Sequence, residues 1–437
     1  MTTKIANTVR QFKNVPCPFC GLCCDDLVVE RNGKDGKKLK IAKNGCDLAR
    51  RGFEAPVAGA VPKIAGKKAS FDEAVAAAAA ILKNSDRPLF SGMGTDIEGA
   101  KAVLQLADGI GGVVDHAASH ALFRNFRVMQ NSGWMTTTVA EIRNRADLVI
   151  FAGTDGVSVS PRFFEKCIWP KKALFTNLQK EREVVFLGRG PSIPSAAKPP
   201  RGGKKPTLIS YDTKCLAELF GTLRALYHGR RLDAKQAVGV AISDLEKLIE
   251  KIKAARYGVI VWASGQIEET FGDLAVQAIA EFIKDINETK RFAGFPLGGG
   301  DNALGVAQTC TWQSGFPLRT AFGEGHPVHD PYLLSGRRLL VEGEADALVW
   351  TSAFRGDLLP PKRPKDTPCI LIGVPGMKVS PGADVYIPVA TPGVDHTGSF
   401  VRTDSVVALP LRKLRDNDLP SVAEIVGAIE TVMRGGA

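Results

Sequence analysis

The chain has 437 residues, 44% of them hydrophobic and 24% charged, which suits a globular protein of two or three domains. No apolar run is as long as a membrane span, and Met1-Thr2-Thr3-Lys4 leads into no apolar stretch, so the expectation is a cytoplasmic protein without membrane contact. The formal charge of +11 raises nucleic-acid binding, but neither basic cluster, Lys34 to Lys38 or Lys198 to Lys205, has the interleaved aromatic residues that base stacking requires.

Residues 1–60 read as a small unit organised by Cys17-Pro18-Phe19-Cys20-Gly21-Leu22-Cys23-Cys24 and completed by Cys46; five of the nine cysteines fall in the first 46 residues. The segment has too few large apolar residues for a core of its own, so metal binding is the economical source of its folding energy. With Cys17, Cys20, Cys24 and Cys46 as ligands the spacing is C-x2-C-x3-C-x21-C. That run suits an iron–sulfur cluster better than a zinc ribbon, whose second half is another close pair. Cys23 and Cys24 are interchangeable at this level, and four reduced thiols or a disulfide pair is the reading without a metal. Asn32-Gly33 and Asp35-Gly36 mark a hairpin that returns the chain to Cys46.

From Ser70-Phe71-Asp72-Glu73, a capped helix start, the pattern becomes alternating helix and strand. Strands are expected at 87–90, 112–115 and 148–153, with helices through Leu106 and from Ala117 to Met129. The prolines and glycines of 180–206 predict an irregular excursion. The second half repeats the theme, with strands at 258–262, 347–351, 369–373 and 383–389, helices between them, and a last helix from Ser421 to Arg434. Near-continuous apolar strands in this alternation predict parallel sheets covered by helices. The expected organisation is a domain at 1–60, α/β domains at 61–205 and 206–390, and a C-terminal segment, 391–437, packing back on the core.

Gly92-x-Gly94 follows a strand but lacks a third glycine, so it reads as a βα turn more readily than as a phosphate loop. Leu297-Gly298-Gly299-Gly300-Asp301-Asn302 suits close backbone approach, to a ligand or in a crowded turn, with Asp301 and Asn302 available to cap the next helix. His116 and His120, and His326 and His329, have ligand-like spacing but no third partner, and isolated histidines are more often surface or core residues. No nucleophile elbow or Walker loop is present in the sequence.

Cys17 to Asp26 with Cys46, Glu141-Ile142-Arg143-Asn144-Arg145-Ala146-Asp147, Asp301-Asn302-Ala303-Leu304-Gly305, Thr311-Trp312-Gln313-Ser314-Gly315-Phe316-Pro317, Ala383 to Val389 and Gly398-Ser399-Phe400-Val401-Arg402-Thr403-Asp404 together resemble the B subunit of formylmethanofuran dehydrogenase, a molybdopterin oxidoreductase. The resemblance implies an α/β fold of doubly wound Rossmann-like halves behind the Cys-rich metal domain. It also implies a [4Fe–4S] cluster on Cys17, Cys20, Cys24 and Cys46, with zinc in the same thiolates or an empty site as the alternatives.

In that family a cysteine in a Cys-His-Gly step ligates molybdenum or tungsten; here the step reads Ser119-His120-Ala121, and no cysteine lies between Cys46 and Cys167. A hydroxyl grips a soft metal less well than a thiolate. Gly153-Thr154-Asp155-Gly156 replaces a Gly-x-Asn-Pro step and sets an acid where a pterin pyrophosphate would lie. The chain therefore looks like the B subunit of the bacterial formyltransferase/hydrolase complex of one-carbon metabolism. The implied role is a catalytically degenerate scaffold without a metal-bound pterin. The implied partners are three further subunits, A, C and D, of which A is amidohydrolase-like and D formyltransferase-like. The basic surface suits the glutamate chain of a methanofuran-type carrier, with no residue assigned to it, an expectation that reversing Lys198, Arg201, Lys204 and Lys205 would test. A catalytic chain using molybdenum or tungsten, and a basic metal-containing nucleic-acid binder, are the competing expectations.

Overall fold

The computed structural model describes residues 9–32, 36–57, 60–188, 193–268, 270–378 and 382–435. The chain divides into two compact units, the first ending at Ser119 and resuming at Gly299, the second running from His120 to Gly298. This division falls inside the linear segments 61–205 and 206–390, because strands from both ends of the sequence pair in one sheet.

The first unit opens with the antiparallel strands β1 (Arg10–Val15), β2 (Leu27–Asn32) and β3 (Lys38–Lys43), followed by helix α1 (Asp47–Phe53). The hairpin expected around Asn32-Gly33 and Asp35-Gly36 is β2–β3, with residues 33–35 of its turn outside the described residues. The pairing of β1 with β2 was not legible in the sequence. Next come β4 (Lys63–Ile64), β5 (Lys67–Lys68), α2 (Phe71–Lys83), β6 (Pro88–Gly94), α3 (Ile97–Gly109) and β7 (Val113–Val114). Ser70 and Glu73 form the reciprocal capping box that starts α2, worth about 1 kcal/mol.

After Gly299 the unit continues with α9 (Ala303–Ser314), β15 (Thr320–Ala321), β16 (Val328–His329), α10 (Gly336–Val341), β17 (Ala347–Ser352), β18 (Cys369–Gly373), β19 (Val385–Pro388), β20 (Gly398–Val401), β21 (Ala408–Leu411) and α11 (Val422–Met433). Its main sheet has the order β16-β15-β7-β6-β17-β18-β19-β4-β5, with β7, β6, β17, β18 and β19 parallel and both ends antiparallel. Every residue of β6, β17, β18 and β19 is buried, which explains their largely apolar composition. Gly92, at φ +76°, leaves no room for a side chain, since a Cβ there would lie 2.7 Å from the Thr351 carbonyl oxygen. Gly92 and Gly94 thus shape a bulged strand end.

The second unit contains α4 (Ser119–Ser132), which begins at its border, α5 (Val139–Arg145), β8 (Leu148–Ala152), β9 (Glu183–Gly188), β10 (Thr207–Ser210), α6 (Leu216–Tyr227), the hairpin β11 (Gln236–Ala237) and β12 (Val240–Ala241), α7 (Ile242–Ala254), β13 (Gly258–Trp262), α8 (Gly272–Asn287) and β14 (Phe292–Pro296). Five parallel strands lie in the order β10-β9-β8-β13-β14. Leu148, Ile150, Ile260 and Trp262 pack with the buried residues of α6, α7 and α8. Phe151, Phe164 and Phe186 stack together in the same unit.

The irregular excursion expected at 180–206 is corrected here: Glu183-Val184-Val185-Phe186-Leu187-Gly188 is an interior strand of this sheet. Its prolines all fall after the strand, where they do not interrupt the ladder. Among the described residues no helix is long and apolar enough to cross a membrane.

Candidate functional site

The cysteine loop leaves β1 at Val15 and folds on itself through the Cys17 N–H to the Cys24 carbonyl (2.8 Å) and the Cys23 N–H to the Cys20 carbonyl (3.2 Å). Cys46 is the N-cap of α1, whose Gly52 leaves room for the Phe19 ring; a Cβ at Gly52 would come within 2.2 Å of it. Phe19 also meets Phe53 edge-on at 5.1 Å, so the loop is seated on this helix by aromatic packing.

Cys17, Cys20, Cys23 and Cys24 are buried, Cys46 is half-buried, and none of the nine cysteines forms a disulfide. Burial raises the Cys17 thiol well above its ordinary pKa, and Cys20, Cys24 and Cys46 add to the rise. Burial also raises Cys23, with Cys20 and Cys24 acting in the same direction, Arg402 opposing and Asp404 adding. The Cys23 side chain packs in an apolar cluster with Phe354, Phe400, Leu409 and Leu411. Among the described residues no three histidine, cysteine, aspartate or glutamate side chains are arranged to hold one metal ion. Cys17, Cys20, Cys24 and Cys46 supply thiol donors for a thiophilic centre, whose binding must expel their protons.

Stretches far apart in the sequence meet beside this loop. The Thr403 N–H donates to the Gly21 carbonyl (2.8 Å). Gly299, at φ +79°, has the Cα atoms of Gly21 and Thr403 at 3.6 and 3.7 Å from where a Cβ would stand. The close backbone approach expected of the glycine run is thus made to the chain's own backbone. Arg402 donates through Nε and Nη2 to the two oxygens of Asp404 at 2.9 and 2.8 Å.

Asn302, fully buried at φ +57°, precedes α9 without capping it by its side chain. Its amide donates to the Thr95 carbonyl (3.0 Å) and accepts the Val401 N–H (2.9 Å), joining the end of β6 to β20. Capping of α9 by Asn302 is therefore corrected: two distant backbone groups claim the amide first.

Asp301 accepts from Arg355 Nε at 3.1 and 2.9 Å, and burial raises its pKa against the pull of that arginine. The Asp301 carbonyl lies 3.3 Å from Nε2 of His116, whose Nδ1 accepts the Ala118 N–H (2.9 Å). Both ring nitrogens are engaged, the proton resides on Nε2, and burial lowers the pKa to about 4. His116 precedes α4 and His120 is exposed on it, so the two do not share a helix face as a ligand pair. His329 bonds through Nδ1 to the Arg319 carbonyl (2.9 Å) and stacks on Phe316, while His326 is exposed.

Ser119 is buried, and its Oγ accepts the His116 N–H (3.1 Å). Asp155 accepts from the Ser158 N–H (3.0 Å) and Oγ (2.7 Å), closing a local turn. Lys198, Arg201, Lys204 and Lys205 are exposed, with Lys204 paired to Glu183.

The sequence reading missed Arg182. It is fully buried, and its five N–H groups donate to the carbonyls of Ile142, Arg143, Ala146, Cys167 and Ile168. The first two close the last turn of α5, so the stretch Glu141 to Asp147 owes its geometry to an arginine far along the chain. The charge directly before an apolar strand was the available signal.

The chain has the fold of a component of a solved multi-subunit complex. The chain superposes on a chain of the crystal structure of the formyltransferase/hydrolase complex (FhcABCD) from Methylorubrum extorquens in complex with methylofuran. The TM-score is 0.70 at 24% identity, covering 86% of this chain and 99% of that one. By sequence the chain is homologous to the B subunits of formylmethanofuran dehydrogenase and of that complex. It is 28% identical over 345 residues to the B subunit of the formyltransferase/hydrolase complex Fhc of Methylorubrum extorquens, covering 77% of this chain and 87% of the relative. It is 26% identical over 420 residues to the B subunit of the tungsten-containing formylmethanofuran dehydrogenase 2 of Methanocaldococcus jannaschii, covering 93% and 94%. No protein-family model matches.

Proposed function

We propose that the chain is the B subunit of a formyltransferase/hydrolase complex, a non-catalytic scaffold in cytoplasmic one-carbon metabolism. Its partners transfer a formyl group from tetrahydromethanopterin to a methanofuran-type carrier and hydrolyse it to formate. The observation that carries this reading is Ser119: the position that resembles the family's metal-ligating cysteine holds a buried hydroxyl already bonded to the His116 N–H. The similarity to the Fhc B subunit and to the chain of the FhcABCD structure supplies the context. The tungsten-containing relatives match more of the chain, which makes a catalytic role the competing reading.

The order β10-β9-β8-β13-β14 with all strands parallel supports reading the second unit as one doubly wound Rossmann-like half of molybdopterin-oxidoreductase type, the first unit's parallel core being the other. Cys17, Cys20, Cys24 and Cys46 would hold the N-terminal centre, as a cluster or as zinc. Once bound, that centre would cross-link the loop to the start of α1 at Cys46. In this reading the scattered positive charge faces the carrier's glutamate chain.

Purification of the native complex followed by elemental analysis tests the proposal. Proteins resembling a formyltransferase and an amidohydrolase should accompany the chain, without molybdenum or tungsten. Either metal in equal ratio with the chain would overturn the scaffold role. Broad visible absorption would identify an iron–sulfur centre; a colourless zinc protein would identify the other.

A further inference from the structure

The two edges of the second unit's sheet are treated differently. Beyond β14 lies the segment 135–137: the Gly294 N–H donates to the Met135 carbonyl (2.8 Å) and the Thr137 N–H to the Gly294 carbonyl (3.1 Å). Beyond β10, among the described residues, no strand pairs. Exposed edges are ordinarily blunted by brevity, by a charge or a proline, or by a bulge. β10, Thr207-Leu208-Ile209-Ser210, is short but carries no charge, proline or bulge within its four residues, and it leaves Leu208 and Ile209 only half-buried.

A cleft of about 340 Å³ runs along this edge between β10 and the start of α7, within the range of ligand clefts. Its floor is apolar, with Val185, Val240 and Leu248 all buried. Lys247 and Lys251 line the cleft against one carboxylate, Asp244. Among the described residues Lys247 pairs with Asp244 alone (2.8 Å), while Lys204 and Lys251 share the single carboxylate of Glu183 (2.5 and 2.6 Å). Lys205 stands exposed two residues before β10.

We infer that β10 is a docking edge for an extended acidic segment of a partner polypeptide. The segment adds as a sixth strand, setting alternate apolar side chains on the cleft floor and its carboxylates against the lysine rim. Main-chain bonds to β10 supply the affinity, and the surplus of lysine over carboxylate selects an acidic occupant. The inference rests on the scaffold reading in that the segment belongs to another component of the complex.

The test uses the full chain and a fluorescein-labelled peptide alternating glutamate and valine, with a glutamine-for-glutamate peptide as comparison. The expected result is saturable anisotropy change with slowed amide exchange at residues 207–210. Affinity should be about tenfold weaker for the glutamine peptide and for the Lys247→Glu/Lys251→Glu variant. Lys247→Glu alone serves where loss of the Lys251–Glu183 pair unfolds the protein, and it should still weaken binding. No binding, binding without protection at 207–210, or equal affinity for the glutamine peptide overturns the inference. If these variants lose the peptide yet co-purify with a full set of partners, the docking edge falls and the scaffold stands. If the unaltered chain binds the peptide but brings down no partners, the scaffold reading falls alone.

Discussion

Replacing Arg182 by methionine keeps the length of the side chain and removes all five donors. Hydrogen bonds from a charged donor contribute roughly 1.5 kcal/mol each at the low end, or about 8 kcal/mol for the five carbonyls Arg182 serves. Against this stands the burial of the guanidinium, which lowers its pKa from 12.5 to about 10, a shift of about 3 kcal/mol. The difference predicts that Arg182→Met costs on the order of 5 kcal/mol, a large part of the stability of a domain. Arg182→Lys, with three donors for five carbonyls, should lose roughly 2–3 kcal/mol. Guanidinium denaturation followed by far-ultraviolet circular dichroism measures both, with Arg143→Met as the exposed control on the same helix. A cost for Arg182→Met indistinguishable from that control would refute the claim that this arginine closes α5.

Three further outcomes follow from the first unit. His116, lowered from 6.5 to about 4, stays neutral in the fold while the unfolded chain gains a proton. Stability should therefore fall as pH drops from about 6.5 to 4, by up to about 3 kcal/mol, and denaturation of His116→Phe across that window should lack this component. The raised carboxyls of Asp96 and Asp301 slope the opposite way at the acid end, and comparison with the variant subtracts them. Asn302→Ala strips partners from the Thr95 carbonyl and the Val401 N–H and leaves alanine at positive φ, a cost of about 4 kcal/mol that amide exchange should register as loosening of β20 and β21. For the proposed metal centre, Cys24→Ala should abolish bound iron or zinc by elemental analysis. Cys23→Ala should keep it, since that thiol packs with Phe400 and Leu411; the reverse pattern would reassign the ligands.

Local chemistry was enough to place much of this protein. The Ser70 capping box, the last helix after Ser421, the strand 258–262 and the buried strands that begin at 347 and 369 all stand where periodicity and caps put them, because each signal acts over one helical turn or one strand. The proline count of 180–206 misled, since it averaged over a window in which an interior strand ends before the prolines begin. The cysteine spacing, the glycine run at 298–300 and the stretch 398–404 were each visible as unusual composition. Their meeting at Gly21, Gly299 and Thr403 depends on contacts between residues hundreds of positions apart, which no local pattern encodes. Arg182, Asn302 and the uncovered edge of β10 belong to the same class. Whether a buried polar group is satisfied, or a strand has a neighbour, is fixed only when the whole chain has closed around it.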